Sequence, residues 1–111
     1  MSAYFKLYKA SNGQYFFTLN GGNHEPVLNA SETYVSKQGA QNGIASVKAN
    51  APHASNYTKW TDTKGQYRFH LEAGNNKVIG VSEGYTTSQA RDSAITWVMN
   101  NAPGAPTVDH T

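Results

Sequence analysis

Cysteine is absent from the 111 residues, so neither a disulfide nor a thiolate metal site can brace or arm this chain. That absence fits a reducing compartment. Charge is scarce too. Nine Lys and Arg stand against seven Asp and Glu, 14% of all residues, for a formal net charge of +2. The cations are scattered singly, so no basic run exists to neutralise a line of phosphates. No stretch reaches the roughly 18 apolar residues of a membrane-spanning helix, and the opening MSAYFKLYKAS has no apolar signal core. Asn29-Ala30-Ser31 and Asn56-Tyr57-Thr58 match the glycosylation triplet, but with no export signal they read as chance in an Asn-rich chain. The expectation is a soluble cytoplasmic protein.

Catalytic signatures are missing as well. His24, His53, His70 and His110 include no pair at the i, i+4 spacing of a helical zinc site. There is no Gly-x-Ser-x-Gly elbow, no G-x-G-x-x-G fingerprint and no P-loop. Gly21-Gly22 falls in a hairpin turn rather than between a strand and a helix. Glu32 and Glu83 form a duplicated carboxylate pair, but their symmetry implies equal environments, whereas acid and base roles need unequal ones. Their expected role is local, at the loop before a helix. No catalytic residue, cofactor or metal ligand is assigned.

What is present is a repeat. GQYFFTL at residues 13–19 returns as GQYRFHL at residues 65–71. A shift of 52 also pairs Gly22-Asn23 with Gly74-Asn75, and an extra residue, assigned to Pro26, moves the register to 51. Beyond it Val27 meets Val78, Ser31-Glu32 meets Ser82-Glu83, Tyr34 meets Tyr85, Ile44 meets Ile95, and Asn50-Ala51-Pro52 meets Asn101-Ala102-Pro103. Ordered matches over so long a stretch mark a tandem duplication. A unit of this size is marginal alone, so residues 1–54 and residues 55–111 are expected to pack as a pseudo-symmetric pair within one compact domain, a fused twofold dimer.

Each unit reads as strand, turn, strand, turn, strand, loop, helix and tail. Asn12-Gly13 and Lys64-Gly65 supply hairpin turns. In the repeated strand, period-two geometry puts Tyr15, Phe17 and Leu19 on one face and Gln14, Phe16 and Thr18 on the other. The letters that recur belong to the buried face, and those that drift (Phe16 to Arg68, Thr18 to His70) belong to the open one. Gln14 and Gln66 recur without an evident reason. Third strands fall near residues 25–30 and 77–81. Ser36 and Thr87 are the N-cap candidates, and Ala40, Ile44, Val47 and Ala51 follow helical spacing, as do Ala90 or Arg91, Ile95, Val98 and Ala102. Asn-Ala-Pro ends each helix, because the residue before proline leaves the α region. Residues 53–57 and 106–109 could each add a short strand. The first strand is ambiguous: Phe5 and Leu7 mark one face, while the match of Tyr8 with Trp60 marks the other, and a bulge would reconcile them.

In SKQGAQNGIASVKANAP, with GQYFFTL before it, the chain resembles the YegP-like family of small bacterial proteins of unknown function. The resemblance covers both repeats and is most specific at Tyr34, Ser36-Lys37, Gly43-Ile44, Ser46-Val47 and the Asn-Ala-Pro ending. Copy two departs from it with Ala94 and Trp97 in place of the glycine and serine. The resemblance implies an α+β fold of two β-β-β-α-β repeats forming a single antiparallel sheet, with both helices on one face and terminal strands exchanged between repeats. It carries over no catalytic or ligand-binding residue.

Helices on one face leave the other face of the sheet wet. Tyr8, Phe16, Thr18, Trp60, Arg68 and His70 are the candidate binding residues there. Tyr34 and Tyr85 read as packing residues, and Asn23 and Asn75 as turn formers. The functional expectation is a monomeric, non-catalytic interaction or structural module, with a protein as the possible partner and no membrane. The alternative is a single-stranded nucleic-acid binder, since aromatics interleaved with cations on an open sheet stack bases. The fused-pair reading makes one prediction: an isolated fragment of residues 1–54 should dimerise or fail to fold in sedimentation and circular dichroism measurements. A stable monomeric fragment would contradict it.

Overall fold

A computed structural model describes residues 3–111. Its elements run β1 (Tyr4–Lys9), β2 (Tyr15–Asn20), β3 (Pro26–Ala30), α1 (Lys37–Asn50), β4 (Tyr57–Thr61), β5 (Tyr67–Glu72), β6 (Val78–Ser82), α2 (Ser88–Asn101) and β7 (Thr107–Asp109). The hairpin turns form where the backbone needs left-handed residues. Gly13 and Gly65 take φ of 83° and 80°, and each donates its N–H to the carbonyl three residues back, at 3.0 Å. In the second turns the left-handed residue is His24 or Asn76, both at φ 66°. The preceding Asn side chains brace those turns. Asn23 Oδ1 accepts from the Glu25 N–H at 3.2 Å, and Asn75 Oδ1 accepts from the Lys77 N–H at 3.1 Å.

The helices begin and end where the sequence places them. The Ser36 and Thr87 hydroxyls accept from the N–H groups of Gly39 and Ala90, each at 3.0 Å, supplying the first orphan donors with partners. Helix α1 turns Ala40, Gly43, Ile44 and Val47 inward; α2 turns Ile95 and Val98 inward. At the position of Ala40 the second copy uses Arg91, not Ala90. Its guanidinium lies 5.4 Å from the centre of the Tyr67 ring, while Ala90 is exposed.

All seven strands join one sheet in the order β4-β5-β6-β3-β2-β1-β7. Every pairing is antiparallel except β1 with β7, which is parallel. The sheet is therefore mixed, correcting the expectation of an antiparallel one. The parallel pair arises from the exchange: β7 follows α2 to the edge of the other repeat, where it lies parallel to β1 and antiparallel to β6, the strand it left. The exchange runs in one direction. Residues 54–56 form a 3-10 turn in place of the short strand expected at 53–57, and the chain enters β4 directly at Tyr57.

Strand pairing also relocates the extra residue. Leu19 faces Leu28 and Leu71 faces Gly80, so the shift of 52 persists through the third strands. Tyr15 faces Tyr34 and Tyr67 faces Tyr85, a shift of 51. The insertion lies between Ala30 and Tyr34 rather than at Pro26, in a loop that absorbs one residue without breaking a ladder. Val27 and Val78 are accordingly not equivalents. The bulges sit in the third strands, with register shifts after Leu19 and Leu71, and the first strands pair without interruption. Phe5, Leu7, Tyr57 and Lys59 thus face the helices. Lys59 accommodates this by reaching Asp92 of α2 at 3.2 Å.

The recurrent glutamines now have a purpose. Gln14 Oε1 accepts from the Thr33 hydroxyl, and the Gln66 side chain lies so close against Gly84 that a Cβ there would clash with its Oε1. Each glutamine supports the loop that carries Tyr34 or Tyr85 back to the second strand. That loop is bonded at both N–H groups of the Tyr15–Tyr34 bridge (2.7 Å each) and of the Tyr67–Tyr85 bridge (2.8 and 2.9 Å).

Both copies feed one cluster of buried apolar side chains that includes Phe5, Leu7, Phe17, Leu19, Leu28, Ile44, Val47, Phe69, Leu71, Ile95 and Val98. At its centre β3 pairs with β6, with Leu28 opposite Ser82 and Ala30 opposite Gly80. Leu28 and Gly80 are pseudo-twofold equivalents, and the Leu28 side chain occupies the space over Gly80: a Cβ there would lie 2.7 Å from Leu28 Cδ2. Gly80→Ala should therefore cost about 1–3 kcal/mol by overpacking, and Leu28→Ala about 2–5 kcal/mol by cavity formation. In chemical denaturation the double variant should lose less than the sum of the two, because each change relieves the other.

Candidate functional site on the open sheet face

Residues directly opposed across a ladder share a face, so the register defines the surface away from the helices. One row crosses the whole sheet: Thr58, His70, Val81, Asn29, Thr18, Lys6 and Val108. On this face Tyr8 opposes Phe16 and Trp60 opposes Arg68. The six sequence candidates therefore all lie on the open face, but they divide into two groups at opposite ends of it.

The second-repeat group is internally compensated. Arg68 Nε donates to Asp62 Oδ2 at 2.8 Å and its Nη1 to the Ser82 carbonyl at 3.3 Å. His70 Nε2 lies 2.7 Å from Glu72 Oε2, and its ring centre is 5.4 Å from that of Trp60. The Arg68 hydrogen bond, helped by the N–H groups of Gln66 and Lys64, holds the Asp62 carboxyl below its ordinary range. The bonds from His70 and then from the Thr58 hydroxyl do the same for Glu72. His70 is thus not the free, solvent-facing side chain its strand position implies; it is four-fifths covered.

The first-repeat group is built differently. The Tyr8 and Phe16 rings stack with centres 4.7 Å apart and planes within 3°, and Lys6 Nζ sits 4.8 Å from the Tyr8 ring centre. Thr18, expected on a wet face, is buried. Its hydroxyl donates to Asn20 Oδ1 at 2.7 Å, and Asn20 Nδ2 donates to Tyr4 Oη at 3.3 Å. Tyr4 Oη lies 3.0 Å from His24 Nδ1. Because Tyr4 Oη already accepts from Asn20, using each group once has Tyr4 donate to Nδ1, leaving the His24 proton on Nε2. The chain of bonds satisfies two buried polar side chains and ends on a histidine.

Beside that histidine a cavity of about 740 Å³ opens at the β1–β7 margin, lined by Ala3, Tyr4, Lys6, His24, Pro106, Val108 and His110. Its walls are apolar and aromatic, its charged group is Lys6, and no carboxylate lines it. Asp109 points to the helix side, where Lys37 at the start of α1 binds it. Lys6 has no ion-pair partner among the described residues. The sequence reading missed Tyr4, Lys6, His24, Val108 and His110. Tyr4 and Lys6 share the parity of Tyr8 and were legible from it. Val108 and His110 are brought there by β7, which local sequence does not reveal.

The duplicated carboxylates also part company. Glu32 meets Lys77 at 3.4 Å, whereas Glu83 accepts from Asn29 Nδ2 at 2.5 Å. Neither lies in the first turn of a helix. Burial, with Glu32 and Glu83 adding to it, raises the pKa of Tyr34 and Tyr85, as expected of packing residues.

The geometry defines a class: a tandem α+β repeat protein with one continuous sheet, helices on one side and a shallow, aromatic, cationic hollow on the other. The chain belongs to the DUF1508 family, described as a domain of unknown function, whose model matches it twice, at residues 10–57 and 62–109. It is 54% identical over 111 residues to a UPF0339 protein of Bordetella pertussis, covering all of this chain and 98% of that one. It is 40% identical to the UPF0339 protein YegP of Escherichia coli K12 over the full length of both. Its structure is similar to the solution structure of YegP from E. coli, with a TM-score of 0.91 at 40% identity, covering 100% and 95% of the two chains. A UPF0339 protein from Shewanella oneidensis gives 0.90 at 39% identity, covering 98% and 92%. Among the described residues no helix is long and apolar enough to cross a membrane.

The depressed carboxylates generate a pH prediction. Carboxyls held below their unfolded values contribute stability that is present above those values and lost as pH falls through the folded ones. Urea midpoints should hold at neutral pH and decline once pH drops below the ordinary 4.5 of Glu72 and 3.8 of Asp62. Asp62→Asn should flatten that decline. His24→Gly should leave stability within about 1–2 kcal/mol of the native chain, since relief of a left-handed side chain offsets loss of the Tyr4 bond.

Proposed function

We propose that the protein is a non-catalytic interaction module, acting as a cytoplasmic monomer in which residues 1–54 and 55–111 form one unit, and that it meets a protein partner with the first-repeat half of its open sheet face. The observation that carries this reading is the contrast between the two halves. At the second repeat Arg68 is paired with Asp62 and His70 is hydrogen-bonded to Glu72. At the first, Tyr4, Lys6, His24 and His110 line a hollow that no carboxylate lines, and the stacked Tyr8–Phe16 pair lies beside Lys6. Tyr8 and Phe16 are half-buried, and aromatics beside an unpaired cation are common anchors of protein recognition. The reading includes no enzymatic activity and no cofactor, since among the described residues the titratable groups with shifted pKa values are accounted for by ion pairs, local hydrogen bonds and packing.

A single-stranded nucleic-acid reading draws on the stacked Tyr8–Phe16 pair with Lys6 above it. Weighing against it, Arg68 is already paired with Asp62, and His70 is engaged by Glu72. A random single-stranded oligonucleotide titrated into the full chain at low and at physiological salt separates the two readings. The expected result is no salt-sensitive binding, with a defined protein captured from bacterial cytoplasm by the native chain and lost with Tyr8→Ala plus Phe16→Ala. Salt-dependent oligonucleotide binding that disappears in Lys6→Ala plus Phe16→Ala would overturn the proposal and establish the nucleic-acid reading.

A further inference from the structure

The internal twofold gives the sheet two equivalent outer edges, along β1 and along β4. Only one of them is filled. On β1, Pro106 O accepts from the Phe5 N–H and Leu7 O accepts from the His110 N–H, both at 2.8 Å, bracketing the parallel register Phe5–Thr107, Lys6–Val108, Leu7–Asp109. On β4 the segment that should answer β7 is spent as the connector: residues 54–56 coil into a 3-10 turn and run straight into Tyr57.

The pleat shows what this leaves open. The bond from Asp62 N–H to Gln66 O fixes residues 58, 60 and 62 as those bonded to β5, so the N–H and C=O groups of Tyr57, Lys59 and Thr61 point away from the sheet. Tyr57 N–H is taken by the Ala54 carbonyl. The Tyr57 carbonyl and both backbone groups of Lys59 remain; the Lys59 carbonyl is the counterpart of Leu7 O, which accepts from His110, while the Tyr57 N–H, counterpart of the Phe5 donor, is taken. Thr58, Lys59 and Thr61 are exposed along this margin.

We propose that the outer edge of β4 receives an extended peptide from another protein, parallel to β4 and with an acidic residue opposite Lys59, in the place that β7 occupies on β1. The parallel direction follows from the twofold. The acidic residue follows from Lys59, which stands where the first repeat has Leu7, the residue that faces Asp109. Lys59 already touches Asp92, but both side chains are half exposed and Arg91 shares that carboxylate, so the ammonium keeps N–H donors for a second anion. The same lysine disfavours a second copy of this chain: two β4 edges joined antiparallel in full register would set Lys59 against Lys59. Edge lysines commonly block self-pairing in this way, and main-chain bonding with side-chain selection is how strand addition recognises its ligands. The site lies at the opposite margin of the sheet from the β1–β7 hollow, so the two proposals stand or fall separately.

The sequence of residues 104–111, Gly-Ala-Pro-Thr-Val-Asp-His-Thr, is a ready probe, because the twofold register places its Asp opposite Lys59. Fluorescein-labelled, it should bind the full chain saturably, and hydrogen exchange should slow at Lys59. Lys59→Glu should weaken binding by at least about threefold, and an otherwise identical peptide with Lys for Asp should restore it. Lys59→Pro removes the outward donor without touching the β5 ladder and should abolish binding in a chain whose circular dichroism is unchanged. Absence of saturable binding, indifference to Lys59→Glu, protection at Tyr8 and Phe16 instead, or concentration-dependent dimerisation through β4 would each overturn the proposal.

Discussion

The contact on which the architecture depends is Leu28 lying across Gly80. Around an internal twofold, equivalent residues of the two copies point toward the same space, and two large side chains cannot both fill it. Here one copy supplies the bulk and the other withdraws it, so β3 and β6 approach as sheet neighbours and the two hairpins become one sheet. Without that junction each copy has a bare third strand and half a core. With it, Phe17 and Leu19 are continuous with Phe69 and Leu71, and each helix packs on a sheet broader than its own repeat provides.

The same asymmetry recurs where function would sit. Duplication first made two equivalent faces, and substitution then distinguished them. Phe16 and Arg68 are equivalents, as are Thr18 and His70, Lys6 and Thr58, Leu7 and Lys59. In the second repeat Arg68 and His70 entered together with partners, Asp62 for Arg68 and Glu72 for His70, so that surface is locked. In the first repeat the aromatics and Lys6 remain uncompensated, and a histidine held in a left-handed conformation stands at the hollow's rim. His24 occupies the position that Asn76 fills in the other copy, where an asparagine is the better conformational fit. A residue that strains its turn while completing a bond to Tyr4 is better explained by the surface than by the fold.

The exchange of terminal segments is likewise half complete. One tail crosses and adds a strand; the other is shortened by having to connect the copies. A fused pair cannot give both tails to exchange, because one of them is the linker. The unequal edges are thus a direct consequence of covalent fusion.

Much of this was legible in the residues themselves. Hairpin glycines, N-cap hydroxyls, the Asn-Ala-Pro stops and the split between retained and drifting letters are local signals with local causes, and they placed the strands, the helices and the buried face. What the chain alone determined is therefore the repeated unit and which side of it turns inward. The rest came from contacts distant in sequence. Ladder register moved the inserted residue from Pro26 to the loop before Tyr34, and the exchange set β7 parallel against β1 of the other repeat. Period and propensity report on neighbours along the chain, while strand pairing and cavity are properties of neighbours across it, and only the tertiary structure brings those together.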